Sequence, residues 1–285
     1  GYESMKIGSY IVEGMASYGV KTNEGIVDLR KRMGDKYADL LSVLRAFGLD
    51  EVAAATKGES ADFQETDIQF LPVIPAPVNT YAAGINYMTH ILETGREVPK
   101  TPSLFLKTQQ SFVGHEQNII RPKVSECLDY EGEFAAVIGK PGRNILEENW
   151  REYVAGYTIV NDGSVRDFQK RSLDQGKNFY HTSASGPWLV TLDEAPENFA
   201  DMSLTTRKNG EIRQQATVDQ LCFSLPQLIA YYSQIFHFQP GDVITTGTPD
   251  GAEHYREPPS WLVPGDEVEI EITGIGVLRN RVVDE

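Results

Sequence analysis

Residues 128–140 read LDYEGEFAAVIGK, and the architecture expected for the chain grows outward from this segment. Glu131 and Glu133 stand two apart, just before an apolar run that reads as a buried strand. On a strand, residues i and i+2 point to the same face. Two carboxylates side by side next to a core repel each other unless a proton or a cation sits between them. Carboxylate oxygens are hard ligands that suit Mg²⁺, Mn²⁺ or Ca²⁺ rather than zinc. A solvated strand end with two glutamates is the competing reading. A second strand-like run, Tyr157–Val160, ends in Asn161-Asp162-Gly163-Ser164. Asp162 there can supply a third carboxylate or cap a turn. Spacing alone does not bring it to Glu131 and Glu133.

Further strands are expected at Val243–Thr246 and Val277–Val283. Glu267, Glu269 and Glu271 alternate with Val268, Ile270 and Ile272, the period of a half-buried strand. Two helices interrupt, one over about Glu147–Val154. The other opens on a capping box of Ser224 and Gln227, with Leu225, Leu228, Ile229, Tyr232 and Ile235 as its apolar face. Residues 6–31 read as a small β meander with runs Lys6–Val12, Ser17–Lys21 and Gly25–Leu29. Tyr37, Leu40, Leu41, Leu44 and Phe47 then follow helical spacing, with Gly48 as the residue ending the helix. Another short helix is expected within 49–70. Pro72, Pro75 and Pro77 punctuate an extended segment, which places a boundary near 70–76. The expected division is a small N-terminal α/β lobe at 1–72 and a catalytic domain at 73–285. Strands outnumber helices, which favours an α+β, mainly-β fold over a doubly wound one. No GxGxxG and no GxxxxGK[ST] occurs, so the common nucleotide sites are unsupported.

Composition narrows the partners. The 285 residues carry 41 Asp+Glu against 26 Lys+Arg, a formal net charge of −15. A nucleic-acid or anionic-membrane partner wants a basic face, and none is visible. Cys127 and Cys222 match neither a zinc motif nor a redox pair, and two free thiols suit a reducing cytoplasm. No secretory signal or membrane-spanning apolar run is read. Gly1–Ser4, ahead of Met5, read as an expression remnant.

The stretch 84–95 reads GINYMTHILETG. Glycines flank a short helix on which His90 and Glu93, at i and i+3, are neighbours. A carboxylate beside an imidazole orients it and raises its basicity, as a general base acting on water needs. An incidental surface pair is the alternative. Of the other histidines, His237 reads as packing at a helix end, His254 as part of a turn and His115 as a loop residue. His181 is kept as a neighbour of the site.

Taken together, these segments resemble the fumarylacetoacetate hydrolase (FAH) family. The ordered matches are NYMTHILE (86–93), PSLFLK (102–107), LDYEGEFAAVIGK (128–140) and VAGYTIVNDGSVRDFQ (154–169), then GKNF (176–179), GPWLVTLDE (186–194), NGE (209–211) and PGDVITTGTPDGA (240–252). The resemblance implies the family's mixed β-roll, usually as a homodimer. It implies that Glu131, Glu133 and Asp162 hold one divalent ion, Mg²⁺ or Mn²⁺, with Ca²⁺ as a substitute. His90 and Glu93 match the dyad that activates water, on a helix that orders when substrate binds. Lys177 matches a lysine reaching into the site, Arg166 and Gln169 polar residues near metal and substrate, and Thr248 a threonine near the substrate carboxylate. The chain departs from the family pattern at 180–185 (YHTSAS), at Thr108 where proline is common, and at Asp250 where a small residue is common.

The expected activity is hydrolysis of a C–C bond in an acylpyruvate-like or 2,4-dioxo acid, through an activated water and a metal-stabilised enolate. Three carboxylates around one divalent ion carry a local charge of about −1. Lys177 would steady a developing oxyanion. Oxaloacetate-type decarboxylation and 2-hydroxydienoate isomerisation need the same enolate and stay open. A non-catalytic member keeping the acidic site for stability is the remaining alternative; the joint presence of His90, Glu93 and Lys177 argues against it.

Overall fold

The expected buried strand runs from Gly132 to Ile138, and each of its residues is buried. It pairs antiparallel with Val154–Asn161 on one side and with Val243–Thr245 on the other. The computed structural model describes residues 4–76 and 78–285. Pro77 and, apart from Ser4, the remnant expected ahead of Met5 lie outside them.

Around this strand is an eleven-stranded sheet. Its path runs Gly25–Asp28, Met15–Thr22, Lys6–Val12, Ser183–Thr191, Val154–Asn161, Gly132–Ile138, Val243–Thr245, Thr80–Ala82, Phe105–Lys107. A five-stranded sheet runs Glu211–Thr217, Ser203–Lys208, Glu267–Ile272, Gly276–Asp284, Asn118–Arg121 and packs against the first. The fold is mainly β with a few short helices, as the strand count implied. The N-terminal meander joins the large sheet through Ile7 opposite Leu189. We propose that residues 1–72 serve as a lobe and 73–285 as the catalytic unit, joined by that ladder.

Gly132 shows how the two sheets meet. The alternation that sends Glu131 and Glu133 to one face sends position 132 to the other. A Cβ there would lie 2.2 Å from Thr206 Oγ1 of the second sheet. Gly132→Ala is expected to cost about 1–3 kcal/mol through overpacking, read by denaturant unfolding. Wild-type stability in that variant would show that the sheets part freely.

Several local expectations are corrected. The helix expected over 37–47 spans only Leu40–Arg45, capped by the Asp39 side chain. Phe47 takes a left-handed φ of 56° and is 65% exposed, because the chain turns there into a second helix, Leu49–Thr56. Gly48 does both jobs at once: its N–H bonds back to Val43 O (2.9 Å), closing the first helix, and it is the cap residue at the start of the second. Residues Glu147–Tyr153 wind as a 3₁₀-helix. The capping box at Ser224 and Gln227 opens the helix Leu225–Ile235, where Leu225, Leu228, Ile229 and Tyr232 are buried but Ile235 is exposed. His237 is not packing: it lies beyond that helix, exposed, beside Gln239. No described helix is long and apolar enough to cross a membrane.

Candidate active site

The end of the strand ladder brings the third carboxylate to the first two. Gly132 stands opposite Asn161, so Asp162 emerges beside Glu131. The Asp162 N–H donates to Glu131 O (2.9 Å), and the Glu131 N–H donates to Asn161 Oδ1 (3.0 Å). Glu131, Glu133 and Asp162 are buried, each offering an oxygen within 4.8 Å of the others. Glu133 Oε1 accepts from Thr245 Oγ1 (2.7 Å) and the Gly247 N–H (3.0 Å). Its Oε2 and both Asp162 oxygens are buried and accept no well-directed hydrogen bond. Glu133 Oε2 has no partner and the Asp162 oxygens meet only lysine ammonium groups; three buried carboxylates grouped in this way are what a hard divalent cation completes. The donor set therefore fits Mg²⁺ or Mn²⁺.

Cations from three other elements surround these acids. Lys177 Nζ lies 2.9 Å from Glu131 Oε2 and 3.3 Å from Asp162 Oδ2, and donates to Ser164 Oγ (2.6 Å). Lys107 Nζ lies 2.7 Å from Asp162 Oδ1. Arg166 Nη2 lies 2.9 Å from Glu131 Oε2, its Nε pairs with Asp129 Oδ2 (3.0 Å), and its Nη1 donates to Gln169 Oε1 (3.0 Å). Burial pushes the Glu131 carboxyl up, but Lys177 and Arg166 outweigh it and hold it well below the usual range. Burial pushes Glu133 well up, with the Asp162 and Glu131 charges adding to it. Burial opposes the charge on Lys177, yet Asp162 and Glu131 keep its ammonium protonated. With a divalent ion, three carboxylates, Asp129 and these three cations, the neighbourhood is net positive. The charge of about −1 expected from the three carboxylates and one divalent ion is thus reversed, to the sign that attracts an anionic acid.

His90 and Glu93 lie on the helix Met88–Thr94, which ends on Gly95 in the left-handed region (φ 71°). The orienting contact on His90 comes from elsewhere. Its Nδ1 lies 3.0 Å from the carbonyl oxygen of Thr248. A carbonyl only accepts, so Nδ1 carries the proton and Nε2 keeps its lone pair. Nε2 is buried without a hydrogen bond, 4.0 Å from Glu93 Oε2. That gap is too long for a direct bond, and a water donating to both acceptors would have to sit to one side of the line joining them. Burial lowers the His90 pKa, keeping the ring neutral. Burial, with the Asp250 charge, pushes Glu93 up to about 6. The Tyr255 ring meets His90 edge-on at 4.9 Å.

His90, Glu131, Arg166, Gln169, Lys177 and Thr248 all line one cavity of about 330 Å³, together with Arg96, Phe105 and Tyr255. Thr248 contributes through its carbonyl; its hydroxyl donates to Gly132 O (2.8 Å) and accepts from Gln214 (2.9 Å). His181 is not brought to the site: it stacks on Tyr180 at 3.7 Å and bonds through its backbone to Gln110 and Ile120. Four residues went unassigned in the sequence: Lys107, Asp129, Gln214 and Tyr255. Two carried a signal. Lys107 is a lone charge closing a short apolar strand, and Asp129 extends the i, i+2 series of Glu131 and Glu133.

The fumarylacetoacetate (FAA) hydrolase C-terminal family matches residues 79–283, and the chain belongs to it. It is thus a member of a superfamily of enzymes that cleave or isomerise keto-acid substrates. Among particular relatives, it is 40% identical over 221 residues to the mitochondrial oxaloacetate tautomerase Fahd2a of Rattus norvegicus, covering 76% of this chain and 70% of that one. It is 40% identical to the 4-hydroxyphenylacetate degradation bifunctional isomerase/decarboxylase of Escherichia coli, across 75% of this chain but 49% of that one. Among solved structures, the fumarylacetoacetate hydrolase of Exiguobacterium antarcticum superposes with a TM-score of 0.86 at 32% identity, covering 99% of this chain and 100% of that one. Maleylpyruvate hydrolase of Sphingobium sp. SYK-6, solved with manganese(II) and pyruvate, gives 0.82 at 26% identity, covering 98% and 99%.

Proposed function

We propose that the protein is a divalent-metal-dependent hydrolase that cleaves a C–C bond in an acylpyruvate-like or 2,4-dioxo acid. The observation that carries this reading is the buried Nε2 lone pair of His90, free of any hydrogen bond and 4.0 Å from the Glu93 carboxylate. A divalent ion on Glu131, Glu133 and Asp162 would supply Lewis acidity toward an enolate. Arg166 and Lys177 face the cavity and hold the acid end of the substrate by charge. His90 Nε2 takes a proton from water as its oxygen bonds to the distal carbonyl carbon. The C–C bond then breaks with its electron pair on the keto-acid side, leaving a carboxylic acid and an enolate. The imidazolium returns its proton to the enolate carbon, with Lys177 steadying the oxygen charge.

A second reading has its own support, since relatives 40% identical to this chain are a tautomerase and an isomerase/decarboxylase. The same Nε2 can move a carbon-bound proton without water. A panel of acylpyruvates, fumarylpyruvate, oxaloacetate and 2-hydroxydienoates, run with Mg²⁺ or Mn²⁺ after EDTA treatment, separates the two by product. Isomers or CO₂ without hydrolysis products would reject the hydrolase reading. We propose the homodimer as the working assembly, to be checked by light scattering.

The pH profile tests the dyad. Both groups act as proton acceptors, so His90 must be neutral and Glu93 ionised. Glu93 ionises around pH 6 and His90 below its ordinary value, so kcat/KM should fall as pH drops through about 6. Asp250→Asn removes a charge that holds Glu93 up, so the acid limb should move to lower pH. A limb unmoved in that variant would remove Glu93 from the profile.

A further inference from the structure

We infer that Gln214, on the second sheet, is a positioning residue that holds the water-activating histidine in register with the metal-ligand strand. The inference rests on the reading of His90 as the base. Gln214 lies on the strand Glu211–Thr217 and is buried, 1% exposed. A buried amide is costly unless its hydrogen bonds are made. All of its side-chain bonds run to the segments that build the active site. Its Oε1 accepts from the Gly132 N–H (3.0 Å). Its Nε2 donates to Thr248 Oγ1 (2.9 Å) and Pro249 O (3.0 Å).

These bonds fix the amide's orientation, since a flip would set its NH₂ against the Gly132 N–H. They also fix the order of a chain of contacts. Gly132 lies between Glu131 and Glu133, and both its backbone groups are taken, the N–H by Gln214 and the carbonyl by the Thr248 hydroxyl. The Thr248 carbonyl in turn takes the Nδ1 proton of His90. One side chain thus ties the strand that holds the metal ligands to the loop that sets the tautomer of the base. Displacing a reacting group by about 1 Å can cost about 10²-fold in rate.

Gln214→Met keeps the length and removes all three bonds. We expect kcat to fall about 10²-fold, with KM and the Mg²⁺ or Mn²⁺ dissociation constant changed by less than about threefold. In a His90→Ala background the same change should cost less than about twofold more, because Gln214 acts through His90. Nitrogen-15 NMR of labelled histidine, with His90 assigned by its loss in His90→Ala, should show the single Nδ1–H tautomer become a mixture in Gln214→Met. That spectrum needs no turnover, so a wild-type protein inert on every keto acid would defeat the hydrolase reading and leave this test standing. An unchanged tautomer in Gln214→Met, or an equal loss of rate in both backgrounds, overturns the inference. Should Gln214→Met fail to fold, Thr248→Val removes the same link from its other end and is read in the same way.

Discussion

Glu133→Gln is expected to lower Mg²⁺ or Mn²⁺ affinity by at least ~100-fold, because residues that merely support metal ligands already cost up to that much. The variant separates metal binding from folding. Glu133 Oε1 accepts from Thr245 Oγ1 and the Gly247 N–H, and a glutamine oxygen can accept both. Its NH₂ would then stand where the unpartnered Oε2 stands, toward the acids it is grouped with. The metal-free variant should therefore unfold at or above the wild-type temperature. With metal at a hundred times the wild-type dissociation constant, wild type should gain about 2.7 kcal/mol and the variant no more than about 0.4 kcal/mol. Titration calorimetry and paired melts with and without the ion measure both. Undiminished affinity in Glu133→Gln would show that Glu133 is not a ligand.

His90→Ala should lower kcat by about 10²–10⁴-fold, the range for removing a general base. Its metal affinity should stay near wild type, since the ring is bonded to Thr248 and lies edge-on to Tyr255, with the carboxylates held by other contacts. Comparing substrates sharpens the result. Loss of hydrolysis with keto–enol exchange retained confines His90 to water, whereas loss of both makes it the base for carbon-bound protons too. Full turnover in the variant would end its role as the base.

Much of this site was legible because it is written in local patterns. Glu131 and Glu133 share a face by strand alternation, and His90 and Glu93 share one by helical spacing. The strand at 132–138, the capping box at Ser224 and the alternating Glu267–Ile272 all follow from short-range rules. What was not legible depends on contacts between distant segments. Asp162 reaches Glu131 only through the ladder pairing Gly132 with Asn161. The partner of His90 Nδ1 is a backbone carbonyl 158 positions away, and a backbone atom leaves no signature in residue type. Phe47 fits a helical period yet leaves it, because the turn into the next helix outweighs one apolar contact. Asp250 stood out as a departure from the family pattern, and its charge now bears on the ionisation of Glu93.

Lys107 and Lys177 have a consequence for how the enzyme matures. Each places an ammonium against the acidic cluster from within the chain, on segments fixed by the two sheets and their connections. Much of the mutual repulsion of the acids is thereby quenched at the moment of folding. The polypeptide is then expected to reach its native shape without an ion, unlike small domains that are unfolded without their metal. An ion held there would then exchange reversibly with the surrounding supply, and one folded pool stripped with a chelator is expected to recharge with a different cation.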